Sequence, residues 1–261
     1  MKDQLASGEF YEELAPSFYL APDKLQGDYA AVRFQREIRL VRQYCPRGKI
    51  LDVGCSNGAF LFQLQERFPE VYETLGSDVA GAALDYAAAK GVAVRRGSFL
   101  AQDFAGEKFA AVTFWATLEH VVDPAGYLAK AAAVLEPGGH CFVLVPNLRS
   151  FAVRVLGPKY RYILEQHVNY FTAETLRALA HTQPEFRVVH LGSSHFNPLV
   201  IWQDLRGGAP VSDADRAQLL KRTNTYKQNP LLWPLKAWLG LVENTLATAG
   251  LADNLVMVLQ R

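Results

Sequence analysis

Cysteine is scarce in this chain, with three residues, Cys45, Cys55 and Cys141, among 261. They are scattered, with no Cys-x-x-Cys pair and no histidines at ligand spacing. That pattern excludes a disulfide framework and a zinc finger, and it fits a reducing, cytoplasmic setting. Long apolar runs are also missing. Without a stretch of about 18 uninterrupted apolar residues no integral membrane segment is expected, and the opening MKDQLASGEF has no apolar core of a secretory leader. Charge of one sign is lacking too: 27 Lys plus Arg against 26 Asp plus Glu leave a formal charge of +1, which gives no general attraction for nucleic acid or anionic lipid. No internal repeat is visible. The hydrophobic content of 50% is enough for one large α/β domain or a domain with a sizeable insertion.

Apolar runs then alternate in period along the chain. Val32, Phe34, Ile38 and Val41 recur at helical spacing, and Cys45-Pro46 ends that helix before a strand at 49–53. Helix follows at 59–68, closed by Pro69, then strand at 72–77, an alanine-rich helix at 82–90 with Gly91 behind it, and strand at 92–95. A fourth strand at 109–114 precedes Asp123-Pro124, a carboxylate cap with proline in the first turn of a helix running to residue 135. Gly138-Gly139 turn the chain into strand 140–145, Thr172 opens a helix ending near 182, and the last two strands are 186–191 and 254–259. This alternation predicts an α/β fold with a doubly wound, mainly parallel sheet that binds ligands at the carboxyl ends of its strands.

One stretch points to a ligand. ILDVGCSNGAF, residues 50–60, joins a strand carrying Asp52 to a helix through Gly54, Cys55, Ser56, Asn57 and Gly58. The G-x-G-x-x-G of a dinucleotide loop is absent; Asp52 would repel a pyrophosphate and attract an ammonium group. A plain strand-to-helix turn would also use these glycines, for backbone conformation alone. The stretch resembles the first motif of class I S-adenosylmethionine-dependent methyltransferases, D/E-x-G-x-G-x-G, with Ser56 in place of the middle glycine. The resemblance implies that Asp52 and residues 54–58 hold the methyl donor.

Five further segments resemble later parts of that family, in order. In LGSDVAGAALDYAAAKG, Asp78 stands twenty residues after Gly58, where the resemblance implies a carboxylate on the ribose hydroxyls, beside Val79; a helix N-cap is the other reading. In VRRGSFLAQDF, Ser98 and Phe99 take the adenine side. In FAAVTFWATLEHVVDP the resemblance implies Trp115 beside the cofactor, Glu119 toward the acceptor and His120 as a candidate base, with a structural Glu119-His120 pair fixing the helix start as the other reading. AAAVLEPGGHCFVLVPN matches the turn into the fifth strand. EQHVNYFTAETLRAL resembles the substrate-side segment of the subgroup called type 23, which makes His167 a catalytic candidate and Tyr170 a substrate contact. His140, His181, His190 and His195 have no motif support and are read as structural. In the ubiquinone-pathway O-methyltransferases, which share Leu-Glu-His, a glutamate three residues earlier completes a divalent-metal site. Here that position is Ala116, too few protein donors remain, and no metal is predicted.

The resemblance implies a seven-stranded Rossmann-like sheet in the order 3-2-1-4-5-7-6 with the last strand antiparallel. It also implies methyl transfer to an O or N atom of a small molecule, such as a sugar, a quinone-like phenol or a natural product, with S-adenosylhomocysteine as the spent cofactor. The rivals are a non-catalytic module that keeps the cofactor fold and a nicotinamide oxidoreductase, which the absent dinucleotide motif disfavours. The expected organisation is an N-terminal helical or lid segment at 1–48, the core at 49–196, a helical insertion at 197–251 acting as acceptor cap or interface, and the terminal strand at 252–261. Phe10, Tyr11, Phe18, Tyr19 and Tyr29 suit an aromatic lid or plain packing, and Arg33, Arg36, Arg39 and Arg42 a solvated helix face. NPLLWPLKAWLGLVENTLATAG, with Trp233 and Trp238, is expected to fold back over the acceptor pocket; a homodimer contact or a membrane surface are the alternatives.

Overall fold

The computed structural model describes residues 9–160, 163, 164, 166–206 and 233–261. Its seven strands are β1 Gly48–Val53, β2 Tyr72–Asp78, β3 Val94–Arg96, β4 Phe109–Trp115, β5 Leu135–Pro146, β6 Arg187–Ser194 and β7 Asn254–Gln260. They form one sheet in the order β3-β2-β1-β4-β5-β7-β6. The pairs from β3 to β5 are parallel, and β7 runs antiparallel between β5 and β6, which is the order the resemblance implied. Chain direction through the sheet reverses between β1 and β4, so the connections leaving their carboxyl ends part and open a crevice there.

The central strands are apolar without a break because helices cover both faces. β4 is buried at its first six positions and β1 at its last four. Alternate residues serve opposite layers: Leu51, Val112, Phe114 and Val143 pack into one core, and Ile50, Ala111, Phe142 and Val258 into the other. Each of these side chains larger than alanine contributes about 1.5–3 kcal/mol relative to exposure.

Ten α-helices lie among the described residues: α1 Glu9–Leu14, α2 Pro22–Asp28, α3 Gln35–Tyr44, α4 Ala59–Arg67, α5 Gly81–Ala89, α6 Pro124–Val134, α7 Phe151–Leu156, α8 Ala173–His181, α9 Pro198–Arg206 and α10 Trp233–Thr248. The sequence-predicted caps form. Asp123 accepts a hydrogen bond from the Gly126 N–H at 2.8 Å, and Thr172 makes a capping box with Thr175. α3 buries Ile38 and Val41, as their spacing requires.

Three expectations change. β5 begins at Leu135, which pairs with Phe109, and the register shifts before Ala111 meets His140; Gly138, at φ 81°, is a kink within the strand and not the turn before it. β3 is shorter and later than residues 92–95. The four arginines are only in part the solvated face expected: Arg36, Arg39 and Arg42 are exposed, yet three of the four are engaged by neighbours. Arg33 faces Asp28, Arg36 pairs with Glu243, the Arg42 guanidinium lies 3.9 Å from the Phe68 ring centre, and Arg39 is exposed. Among the described residues no helix is long and apolar enough to cross a membrane.

Candidate active site

A cavity of about 640 Å³ occupies the crevice at the carboxyl ends of β1, β2 and β4. Asp52, Gly54, Cys55, Ser56, Asn57, Asp78, Val79, Ser98, Phe99 and Trp115 line it on the side of the glycine loop. Glu119, His120 and His167 line it on the other. Two residues proposed from sequence, Gly58 and Tyr170, do not.

The loop is held in an unusual backbone shape. Gly54, Ser56 and Gly58 have φ of 76°, 50° and 75°, so Ser56 adopts the left-handed conformation that a glycine would take without strain. At Gly54 a β-carbon would stand 2.6 Å from Thr117 Oγ1, the hydroxyl that donates to the Val53 carbonyl at 2.9 Å. At Gly58 it would stand 2.7 Å from the Ala87 β-carbon. Gly58 therefore lets α4 approach α5 and stays behind the cavity wall. Asp78 braces the loop, its Oδ2 accepting from the Ser56 N–H at 2.7 Å and its Oδ1 from the Ala80 N–H at 2.9 Å. The N-cap position of α5 itself is Ala80, so the cap reading of Asp78 holds only as a brace just ahead of the helix.

Asp52 is only 2% exposed, and Thr113 Oγ1 donates to its Oδ1 at 2.6 Å. Burial pushes its carboxyl up to about 7; the Thr113 bond opposes the rise and the Asp78 charge adds to it. Near neutral pH the group is thus poised between acid and anion, and a docked cation would draw it to the anion. Phe99 is less free than a stacking platform needs to be. It is 2% exposed and packs against Phe104, Phe114 and Tyr127, so it meets the cavity as the edge of the core. Ser98 hydrogen-bonds the Tyr127 hydroxyl. The Trp115 ring leans on Phe60 at 5.4 Å, and its buried indole N–H has no hydrogen-bond partner.

Opposite the loop, the His120 and His167 rings meet edge to face at 4.5 Å between centres. Backbone bonds bring them together. The Val168 and Asn169 N–H groups donate to the Glu119 carbonyl at 2.9 and 3.0 Å, and the Asn169 side chain donates to the carbonyls of Leu118 and Val121. Burial lowers His120 to about 4, against the raising effect of the Gln166 carbonyl 3.2 Å from its Nδ1. It raises Glu119 to about 8, against the lowering effect of that residue's own backbone N–H. Both side chains are therefore neutral near pH 7. One donor atom each from Glu119, His120 and His167 lies within 4.8 Å of the others. His167 thus supplies a third donor where the sequence reading counted two, and one carboxylate with two imidazoles suits a zinc-like ion better than magnesium. Tyr170 lies off the cavity lining: it is exposed, and its hydroxyl both donates to the Leu164 carbonyl and accepts from the Leu164 N–H, at 3.0 and 3.1 Å. It shapes the turn that carries His167, its ring tilted 58° against that imidazole with 6.1 Å between centres.

Lys24 and Asp28 line the cavity without any sequence signal, and they do so beside Asn57 and the aromatic residues that suited a lid. The Asn57 amide donates to Asp28 Oδ2 at 3.0 Å and to the Tyr19 carbonyl at 3.2 Å, and the Tyr29 hydroxyl donates to the Asn57 carbonyl at 2.7 Å. These bonds strap the N-terminal segment over the loop, with Tyr11, Phe18 and Tyr19 on the cavity wall. Burial alone would raise Asp28, but Lys24 and Arg33 beside it, with hydrogen bonds from Lys24 and Asn57, hold it below the usual carboxylate range. His195, read as structural, also lines the cavity, as do Glu37 and Asp253. Residues 207–232 of the expected insertion, with the start of the C-terminal apolar segment, lie outside the described residues. No described residue of α10 lines the cavity, while Val200 of α9 does.

The sheet order and the crevice together define the Rossmann-like fold of methyltransferases. Residues 29–191 match the model of a family described as a methyltransferase domain, type 23. The chain therefore belongs to the class I S-adenosylmethionine-dependent methyltransferases, in that family. It is 32% identical over 125 residues to the ubiquinone biosynthesis O-methyltransferase of Cereibacter sphaeroides, covering 43% of this chain and 47% of that protein. It is 31% identical over 163 residues to the ubiquinone biosynthesis O-methyltransferase of a Bradyrhizobium species, covering 57% and 60%. The chain spans about half the length of the curated relatives it matches. The crystal structure of a methyltransferase from Thermotoga maritima shares the fold, with a TM-score of 0.58 at 16% identity over 98% of this chain and 97% of that one.

Proposed function

We propose that this protein transfers the methyl group of S-adenosylmethionine to a hydroxyl oxygen of a small molecule. The observation that carries the proposal is one continuous cavity, with Asp52, the glycine loop and Asp78 along one side and the His120–His167 pair along the other. The donor's ammonium would sit at Asp52, its ribose at Asp78 and its adenine beside Ser98 and Phe99, which leaves the sulfonium methyl turned toward the imidazoles. The acceptor oxygen attacks the methyl carbon, the carbon–sulfur bond breaks with its electron pair left on sulfur, and His167 takes the hydroxyl proton. Holding the two reactants in line supplies most of the acceleration. The transfer needs no metal. A divalent ion held by Glu119, His120 and His167 would add Lewis-acid polarisation of an acceptor oxygen.

The name shared by the two curated relatives supports oxygen as the acceptor atom. Balanced charge supports a small molecule over a polyanion, and three buried free cysteines suit a reducing cytoplasm. Leu235, Trp238 and Leu241, exposed on α10, offer an apolar face to a second copy. Incubation with methyl-labelled donor and a panel of phenols and sugars is expected to yield S-adenosylhomocysteine and O-methyl product in equal amounts. Saturable donor binding with no transfer to any phenol, sugar or amine would instead indicate a non-catalytic module.

A further inference from the structure

We infer that the acceptor carries an ammonium group and docks it on Glu37 and Asp253, at the wall of the cavity near the ends of β6 and β7. Calling this molecule the acceptor rests on the methyl-transfer reading; the cation subsite stands on its own geometry.

The cavity wall is rich in carboxylates beyond those its donor end uses. Asp52 and Asp78 belong to the glycine loop, Lys24 and Arg33 offset Asp28, and Asp123 caps α6. Lys24 and Arg33 are the Lys and Arg side chains on the described lining; Arg36 feels Glu37 from outside the lining but is committed to Glu243, so no lining Lys or Arg is left for Glu37 and Asp253. Glu37, on α3, is 5% exposed, and Asp253, just ahead of β7, is 8% exposed. Each keeps one buried oxygen, Glu37 Oε2 and Asp253 Oδ1, with no hydrogen-bond partner. Leaving such an oxygen unsatisfied costs about 1–3 kcal/mol, and more when it is charged, so a ligand that brings donors here recovers that cost.

Both residues contact His195, Glu37 through its carboxylate and Asp253 through its backbone N–H. Glu37 Oε1 lies 3.7 Å from His195 Nε2, and the Asp253 N–H donates to the His195 carbonyl at 2.8 Å. His195 is held at φ 66°, a conformation costly for a non-glycine residue and common where a ligand is clamped. Its N–H donates to Glu243 Oε1 at 3.0 Å, and Arg36 grips Glu243 through both guanidinium nitrogens. α10 thus supports this wall from behind. The remaining Asp253 oxygen accepts from the Asn197 N–H at 3.2 Å, which fixes the carboxylate's direction. Burial pushes Asp253 up to about 7, the Asn197 bond opposing and Glu243 adding to the rise; a cation at Oδ1 would restore the anion. A neutral hydroxyl can donate to one of these oxygens but brings no positive charge to the two carboxylates, and an anionic acceptor is repelled by them.

The test is calorimetric titration of the full-length protein saturated with S-adenosylhomocysteine, which covers the loop carboxylates. The probes are matched pairs: glucosamine against glucose, and tyramine against para-propylphenol. The amine of at least one pair is expected to bind saturably and at least about tenfold more tightly than its neutral partner, the scale of one charge-assisted bond. Glu37→Gln and Asp253→Asn are each expected to erase most of that preference without changing affinity for S-adenosylhomocysteine, which reports an intact fold. Equal binding within both pairs, no binding by either amine, or preference retained in both variants would overturn the inference. No methyl transfer is measured, so failure here is separable from failure of the proposed reaction.

Discussion

Asp52→Ala weakens S-adenosylmethionine binding at least about tenfold, the expected scale for losing one charge-assisted hydrogen bond. Asp52 is nearly inaccessible, and its carboxyl is raised to about 7 by burial, opposed by the Thr113 bond and reinforced by the Asp78 charge. A docked ammonium favours the anion, so binding draws a proton off Asp52 wherever the unliganded group still holds one. Affinity should therefore be full above about pH 8 and fall as pH drops through about 7, with proton release on binding, a pattern that Asp52→Asn abolishes. For stability the sign is opposite. A carboxyl raised on folding contributes stability that is present below its unfolded value and lost as pH rises through its folded value. Asp52 at about 7 and Glu119 at about 8 therefore make the unliganded protein less stable toward alkaline pH. Calorimetry in two buffers of different ionisation enthalpy reads the proton release directly. Unchanged affinity in Asp52→Ala removes this residue from the donor site.

His167→Ala lowers kcat by about 10²–10⁴-fold, the usual contribution of a positioned general base, with S-adenosylmethionine affinity within about twofold of the parent, well under the 1.4 kcal/mol of a tenfold change. The assignment between the two imidazoles follows from their surroundings. His120 is neutral down to about pH 4, and its Nδ1 is engaged with the Gln166 carbonyl, so it is a weak proton acceptor that positions the acceptor and its neighbour. His120→Ala should accordingly cost less than His167→Ala, and a pH–rate profile of the parent should show no acid limb from His120 above about pH 5. Full activity in both variants would leave alignment of the two substrates as the whole mechanism.

Much of this fold can be read from the chain because its strands are short apolar runs punctuated by Gly, Pro and Asp. Asp123-Pro124 and Thr172 start helices for reasons local to a few residues, and both did so in the structure. The strand order is different in kind, since nothing in the period of β7 says that it inserts between β5 and β6; only the resemblance supplied it. The start of β5 at Leu135 was hidden because Gly138-Gly139 looks like a turn and is a kink inside a strand. The donor side of the cavity was legible because one continuous segment builds the loop. Glu119, His120 and His167 were named from two separate motifs, but the wall near β6 and β7 was not legible. Glu37, His195 and Asp253 lie on three distant segments that meet through the sheet, and Asp28 reaches the loop through the Asn57 amide, contacts that no local spacing encodes. Asn169 had a faint signal, two residues after His167, but its bonds to the Leu118 and Val121 carbonyls are tertiary.

The central claim is that Asp52 and the loop after it select a sulfonium amino acid over a dinucleotide, and one calorimetric titration of the parent protein tests it. Saturable one-to-one binding of S-adenosylmethionine and S-adenosylhomocysteine is expected, with no saturable binding of NADH. Saturable NADH binding in the absence of S-adenosylmethionine binding would contradict it.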